Sequence, residues 1–330
     1  MRTSLFMRLG LVLAVFIELH AGAGSFFSDF NSGLATNASV FGSATVDKKG
    51  GVNGSGVLKL TTAQVSQMGS FVVHSLDGKK PAASFLATFK AYIGGGTGAD
   101  GFTFLFASNV PDEPFADKTS AGLTLIFDTY KNGSQIAPGI RVKYSKAPMM
   151  EMSVPNLRSE HFMDVMVKVD PDGTLDVLYD NDPVFSNVET SLTNVVGRFA
   201  LGARTGTRVD NHFIDDLRIV TQTSPGAFVD TFLPIGNEVS PLVVIDIVIR
   251  DFKTKVKAGS VKLSFDNAAV KPEVSSAADG TTLVHYDPPG VFEPATSHRV
   301  DLQFVDTGKP AITNEFSYAF RISSQITISK

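Results

Sequence analysis

The sequence predicts an all-β protein built as a larger β-sandwich followed by a smaller one. Three observations predict this: apolar residues recur at a spacing of two, turn residues separate the runs, and no long stretch shows an apolar period of 3.6 residues. Phe85, Ala87, Phe89 and Ala91 share one side of a first run, and Phe102, Phe104 and Phe106 share one side of a second. Ile140, Val142 and Tyr144 follow the same rule, as do Val165, Val167 and Val169, and then Leu175, Val177 and Tyr179. Side chains two residues apart on a strand face the same way, so each stripe is the buried face of one strand. Gly94-Gly95-Gly96, Lys131-Asn132-Gly133, Pro171-Asp172-Gly173 and Asp180-Asn181-Asp182-Pro183 supply the turns between them. The segment from Val169 to Leu175, with Pro171 and Gly173 at its tip, is a hairpin.

Near residue 221 the composition loosens through Thr221-Gln222-Thr223-Ser224-Pro225-Gly226, and Pro234 and Gly236 continue the change. A second series of alternating runs then starts with Val243, Ile245, Ile247 and Ile249 and ends with Phe316, Tyr318 and Phe320. The expected organisation is therefore a first domain over 24–221, a linker over 222–240, a smaller sandwich over 241–323 and a tail over 324–330.

The chain has 330 residues, enough for two cores, with 43% hydrophobic and 19% charged residues, which suits packed sheets rather than disorder. It has 26 Phe and no Trp, so the cores rest on Phe with Val, Ile and Leu. The formal net charge of -4, without a basic run in either half, argues against nucleic acid or an anionic membrane surface as partner. With no cysteine there is no disulfide, thiolate metal site or cysteine nucleophile.

Residues 1–23 read as a signal peptide. Arg2 and Arg8 precede an apolar run from Leu9 to Leu19, and Ala21-Gly22-Ala23 gives the small-x-small pattern of a cleavage site. The run falls short of the ~20 apolar residues of a membrane span, and no later segment is long and apolar enough for one. The expected location is therefore secreted or at the cell surface, without a transmembrane segment in the mature chain.

Three segments carry a family resemblance. Gly98-Ala99-Asp100-Gly101-Phe102-Thr103-Phe104-Leu105-Phe106 resembles the Ala-Asp-Gly strand of legume-type lectins, and Leu123 through Asn132 resembles their metal-loop strand. Gly202 to Gly206 and Asn211 to Ile219 resemble the closing strands of bacterial laminin-G-like relatives. Residues from about 25 to 221 thus resemble the concanavalin A-like superfamily, and the second domain loosely resembles bacterial Ig-like modules. The resemblance implies a jelly-roll sandwich, and it implies carbohydrate binding through Asp100, Gly101, Asn132 and Tyr130, with a cis peptide before Asp100. It also implies calcium held by Asp128, the Tyr130 carbonyl and Asn132. The residues themselves agree in part: along an extended segment Asp128, Tyr130 and Asn132 fall on one side, and carboxylate, carbonyl and amide oxygens are hard ligands that suit calcium. Asp128 and Asn132 are equally good turn formers, and that reading stays open.

Two departures bear on the metal. The family's glutamate two residues before the aspartate is Ile126 here, and Gly133 to Gly139 contains no acid, so no transition-metal site is expected. The glycosidases that share this sandwich use a strand of the form Glu-x-Asp-x-(x)-Glu, and the nearest acidic strands here, at Asp128 and at Asp215-Asp216, contain no Glu. His74, His161, His212, His285 and His298 are scattered without ligand spacing. The chain is therefore not expected to be an enzyme. The leading expectation is an exported glycan-binding protein, with no particular glycan or oligomeric state implied. The alternative is a structural or adhesive protein whose sugar site has decayed, and a glycoside hydrolase ranks behind both.

Overall fold

A computed structural model describes residues 24–78, 80–116, 122–144 and 148–324. The proposed signal, residues 1–23, lies outside the described residues, as does all of the tail except Ser324. Among the described residues no helix is long and apolar enough to cross a membrane.

The chain is all-β. Among the described residues its first part contributes fifteen strands. They begin with β1 (Ser25–Ser28), β2 (Ala38–Gly42), β3 (Thr45–Asp47), β4 (Val57–Thr61) and β5 (Met68–Val73). Next come β6 (Ser84–Gly94), β7 (Gly101–Ala107), β8 (Leu123–Asp128), β9 (Gly139–Tyr144) and β10 (Met150–Ser153). The series closes with β11 (Met163–Val169), β12 (Thr174–Tyr179), β13 (Asp182–Glu189), β14 (Arg198–Arg204) and β15 (Asn211–Gln222).

These strands form two sheets. One has the order β13-β12-β11-β6-β15-β4-β3, with β1 also paired to β15, and the other has the order β10-β9-β8-β7-β14-β5-β2. The alternation seen in the sequence is what joins them. Phe85 and Phe89 of β6 point inward and meet Phe104, Phe106 and Phe199 of β7 and β14 across the interior, with ring centroids 4.9 to 6.5 Å apart. Aromatic pairs at such spacings add to the hydrophobic gain of burying them. The result is a jelly-roll sandwich with a Phe-rich core.

The outer face of the β10-to-β2 sheet carries a smaller apolar layer. Val72, Leu105, Ala107 and Ala200 point outward there and are covered by Val110 and Phe115 from the loop after β7. Phe115 is completely buried. It lies against Gly202, where a Cβ would come within 2.5 Å of the ring, so this outward position of β14 has room only for glycine. The described residues of this loop therefore roof the face over β5, β7 and β14.

Two further four-stranded sheets pack around a second core. One orders Phe228–Leu233, Ile245–Arg250, Thr281–Tyr286 and Glu273–Ser276; the other orders Ala268–Val270, Lys262–Phe265, Ser297–Val305 and Thr313–Arg321. Their first strand lies inside residues 222–240, where the sequence suggests a linker. Gly226 and Pro234 bracket a short apolar pattern, and Phe228, Val229 and Phe232 are all buried. Met166 and Leu178, on the outer face of the first sheet, belong to this second core, so the two parts share an apolar contact. Arg218 bonds Glu315 at 3.0 Å across the same junction.

Candidate functional site

Strand register assembles the site. Gly101 of β7 pairs with Asp128 of β8 on one side and with Arg204 of β14 on the other, and Asp128 pairs with Gly139 of β9. One row along, Thr103, Ile126 and Arg141 are neighbours across the same strands. These positions alternate with the inward Phe102, Phe127 and Ile140, so all of them face outward. Apart from Gly139 they line, together with Asp100, Asn132, Gln135 and Ala116 of the loop after β7, a cleft of about 270 Å³.

Asp100 enters the cleft from the end of the glycine-rich loop. The Ala99–Asp100 peptide is cis, as the resemblance implies. The Asp100 carbonyl accepts hydrogen bonds from the Thr129 N–H (2.9 Å) and hydroxyl (3.2 Å). Its carboxylate Oδ2 accepts from Arg204 Nε at 2.9 Å. Gly101 has φ of +129°, and a Cβ there would lie 1.9 Å from the Phe127 carbonyl oxygen. Only glycine lets the chain pass so close, so this residue shapes the wall of the cleft through its backbone.

Asp128 is 4% exposed and fully engaged. Its Oδ1 accepts from the Tyr130 N–H at 3.0 Å. Its Oδ2 accepts from Arg141 Nη2 at 2.5 Å and from Gln135 Nε2 at 3.0 Å. Gln135 Nε2 also donates to the Tyr130 carbonyl at 3.4 Å. Burial pushes the Asp128 carboxyl above its ordinary range, against the opposing pull of the Tyr130 N–H and Arg141. Asn132 is exposed on the cleft lip, and the Tyr130 ring lies 5.6 Å from the Arg208 guanidinium.

The structure thus brings Asp100, Gly101, Asp128 and Asn132 to one cleft, with Tyr130 beside it. As a calcium set, Asp128, Tyr130 and Asn132 fit poorly: the Arg141 cation already sits on Asp128 Oδ2, and Gln135 donates to that oxygen and to the Tyr130 carbonyl. Among the described residues no group of three or more His, Asp or Glu could hold a metal ion. Arg141, Gln135 and Arg204 are the residues the sequence reading missed. Arg141 carries a readable signal, since it is one of two charged residues, with Lys143, on the outward face of the Ile140-Val142-Tyr144 stripe. What it faces depends on the β8–β9 register.

The other acidic strand has a structural task. Asp215 is completely buried and accepts from the Val52 N–H and the Ser55 hydroxyl, both at 2.8 Å, which pins the loop before β4. Asp216 follows at a bulge with φ of +49° and is partly exposed. His212 lies completely buried in the sandwich with its Nδ1 2.6 Å from the Thr61 hydroxyl, and its Nε2 has no hydrogen-bond partner among the described residues.

No family model and no curated relative matches the sequence. Among solved structures, the chain is similar to the exoplasmic/lumenal domain of VIP36 in its calcium- and mannose-bound form. That match has 18% identity over 59% of this chain and 88% of the other, with a TM-score of 0.49. It is also similar to the Emp47p carbohydrate recognition domain, at 17% identity over 60% and 94% of the two chains and a TM-score of 0.48. A lectin from Bauhinia forficata in complex with GalNAc matches at 18% identity over 61% and 100%, with a TM-score of 0.45. At these identities, and with TM-scores below 0.5, the matches carry no argument about what this chain does.

Proposed function

We propose that this protein is a lectin-like, exported glycan-binding protein that performs no catalysis. The observation that carries the reading is the cleft itself, where polar side chains from three neighbouring strands and the adjoining loops converge on the outer face of the sheet. Asp100 presents a carboxylate with its side chain 24% exposed, and Arg204 beside it is 40% exposed. Charge-assisted bonds from such groups to sugar hydroxyls are strong and directional. Asn132 adds an amide at the lip, and the Tyr130 ring offers an apolar surface for a pyranose, in a chain without Trp. Both acids of the cleft, Asp100 and Asp128, are paired with arginines, which suits binding better than proton transfer. The smaller sandwich, read as an Ig-like module, then serves as a spacer or support.

One observation favours the scaffold alternative: the same two ion pairs satisfy groups that a sugar would otherwise engage. Screening the full chain against a glycan array, with Asp100→Ala as control, separates the two readings. Binding that the variant loses supports the glycan site, and an array without signal for the wild-type chain leaves the scaffold reading standing.

A further inference from the structure

Every oxygen that the resemblance assigns to calcium within the strand end, the Asp128 carboxylate and the Tyr130 carbonyl, already accepts a hydrogen bond from the chain. Arg141 Nη2 and Gln135 Nε2 converge on Asp128 Oδ2, and the same Gln135 nitrogen reaches the Tyr130 carbonyl. The guanidinium is held in place: its side chain is 15% exposed, it reaches Asp128 at 2.5 Å, and its Nη1 lies 3.8 Å from Met149 Sδ. Arg141 Nε is buried with no acceptor among the described residues, so the Asp128 bond dominates what fixes this group. Arg141 projects next to Ile126, its cross-strand partner, where an apolar side chain offers no competing ligand.

We propose that Arg141, together with Gln135, occupies the place of a divalent cation in this cleft. The guanidinium supplies the positive charge that neutralises Asp128, and it does so through directed donors. The Gln135 amide ties Asp128 to the Tyr130 carbonyl, the link that a shared metal ion would otherwise make. A dication brought to the same oxygens would sit against a fixed positive charge in a partly buried site, where that repulsion is poorly screened. The turn from 129 to 135, and through Thr129 the carbonyl of Asp100, is therefore set by the protein alone. This inference concerns the organisation of the cleft. Its extension to sugar binding without calcium rests on the glycan reading above.

Terbium(III) luminescence sensitised by Tyr130, measured on the full chain, tests the proposal. The signal that counts is the part lost on Asp128→Asn, which removes contributions from other surface acids. The wild-type chain is expected to show no such part, and its melting curves in calcium and in EDTA are expected to coincide. Arg141→Met and the more conservative Arg141→Gln each free the carboxylate and are expected to gain Asp128-dependent emission that calcium competes away. Asp128-dependent emission from the wild-type chain overturns the proposal, and so does its absence in whichever Arg141 variant folds. The readout needs no glycan, so a failed glycan screen leaves it intact. Glycan binding that EDTA abolishes would instead contradict the inference while supporting the glycan reading.

Discussion

The Asp100 carboxylate and the Arg204 guanidinium meet at the edge of the cleft, with Arg204 Nε donating to Asp100 Oδ2 at 2.9 Å. Both side chains keep substantial contact with solvent, so the pair contributes little to stability, roughly 0–1 kcal/mol. Its value lies in fixing which way Asp100 points. Arg204→Gln is therefore expected to leave the urea midpoint nearly unchanged while weakening glycan binding by about tenfold, the cost of ~1.4 kcal/mol in positioning. Calorimetric titration beside a denaturant curve checks both halves. A variant that unfolds early would mean that the pair is structural.

Gly202 and Phe115 make the opposite case, a contact that matters through packing. A Cβ at residue 202 would meet the Phe115 ring and carbonyl oxygen at 2.5 Å. Neither can yield easily, because Phe115 is the fully buried anchor by which the loop packs on Leu105 and Ala200. Gly202→Ala is expected to cost about 1–3 kcal/mol, the usual penalty of overpacking a filled site. It should also lift the roof and raise protease sensitivity between residues 108 and 116. Unfolding curves and limited proteolysis read the two effects.

His212 sets an acid limit on the fold. Burial without a charged partner lowers its pKa from the ordinary 6.5 to about 3. The folded chain thus holds a neutral imidazole while the unfolded chain takes up a proton below about pH 6.5. The stability it contributes is fully present above that value and is lost as the pH falls toward 3. The expected loss across the window is on the order of 4–5 kcal/mol. His212→Gln, which cannot titrate, should flatten the acid limb of the stability–pH curve even if it lowers the plateau. An unchanged slope between pH 6 and 4 would show that other groups govern it.

Most of the fold was legible because a sheet with one buried face writes itself into the chain as alternation. Phe102, Phe104 and Phe106 announce β7, and Val165, Val167 and Val169 announce β11. The strand over Phe228–Leu233 was obscured because its apolar pattern is short and flanked by Pro and Gly, which read as linker. The site was half legible. Asp100, Gly101 and Asp128 carry a local pattern, whereas Arg141 and Arg204 reach them only because cross-strand register brings side chains 13 and 104 positions apart within hydrogen-bond distance. Lys168 shows the same limit more sharply: its place on the outward face of β11 suggests solvent, and only the docking of the second part makes it interior.

That lysine carries the last prediction. Lys168 is 4% exposed and donates to Asp176 Oδ2 at 2.8 Å and to Asp170 Oδ2, with both acids buried beside it. It faces a crevice shared with Phe228, Val229, Phe304 and Phe316 of the second part, which keep water away. Removing one member of a buried ionic group leaves the others uncompensated, so Lys168→Met is expected to cost about 3–5 kcal/mol near neutral pH. Burial already raises the Asp170 pKa to about 7, against the pull of Lys168. A raised carboxyl favours the fold at low pH, and that contribution is lost as the pH rises through 7. Without Lys168 the pKa climbs further, so the deficit of the variant should shrink toward pH 4 and widen toward pH 8. The triple change Lys168→Met, Asp170→Asn, Asp176→Asn removes every charge and should recover much of the loss. Denaturant unfolding of the three chains at pH 4, 6 and 8 distinguishes this from a simple packing defect, which would give a deficit that does not vary with pH.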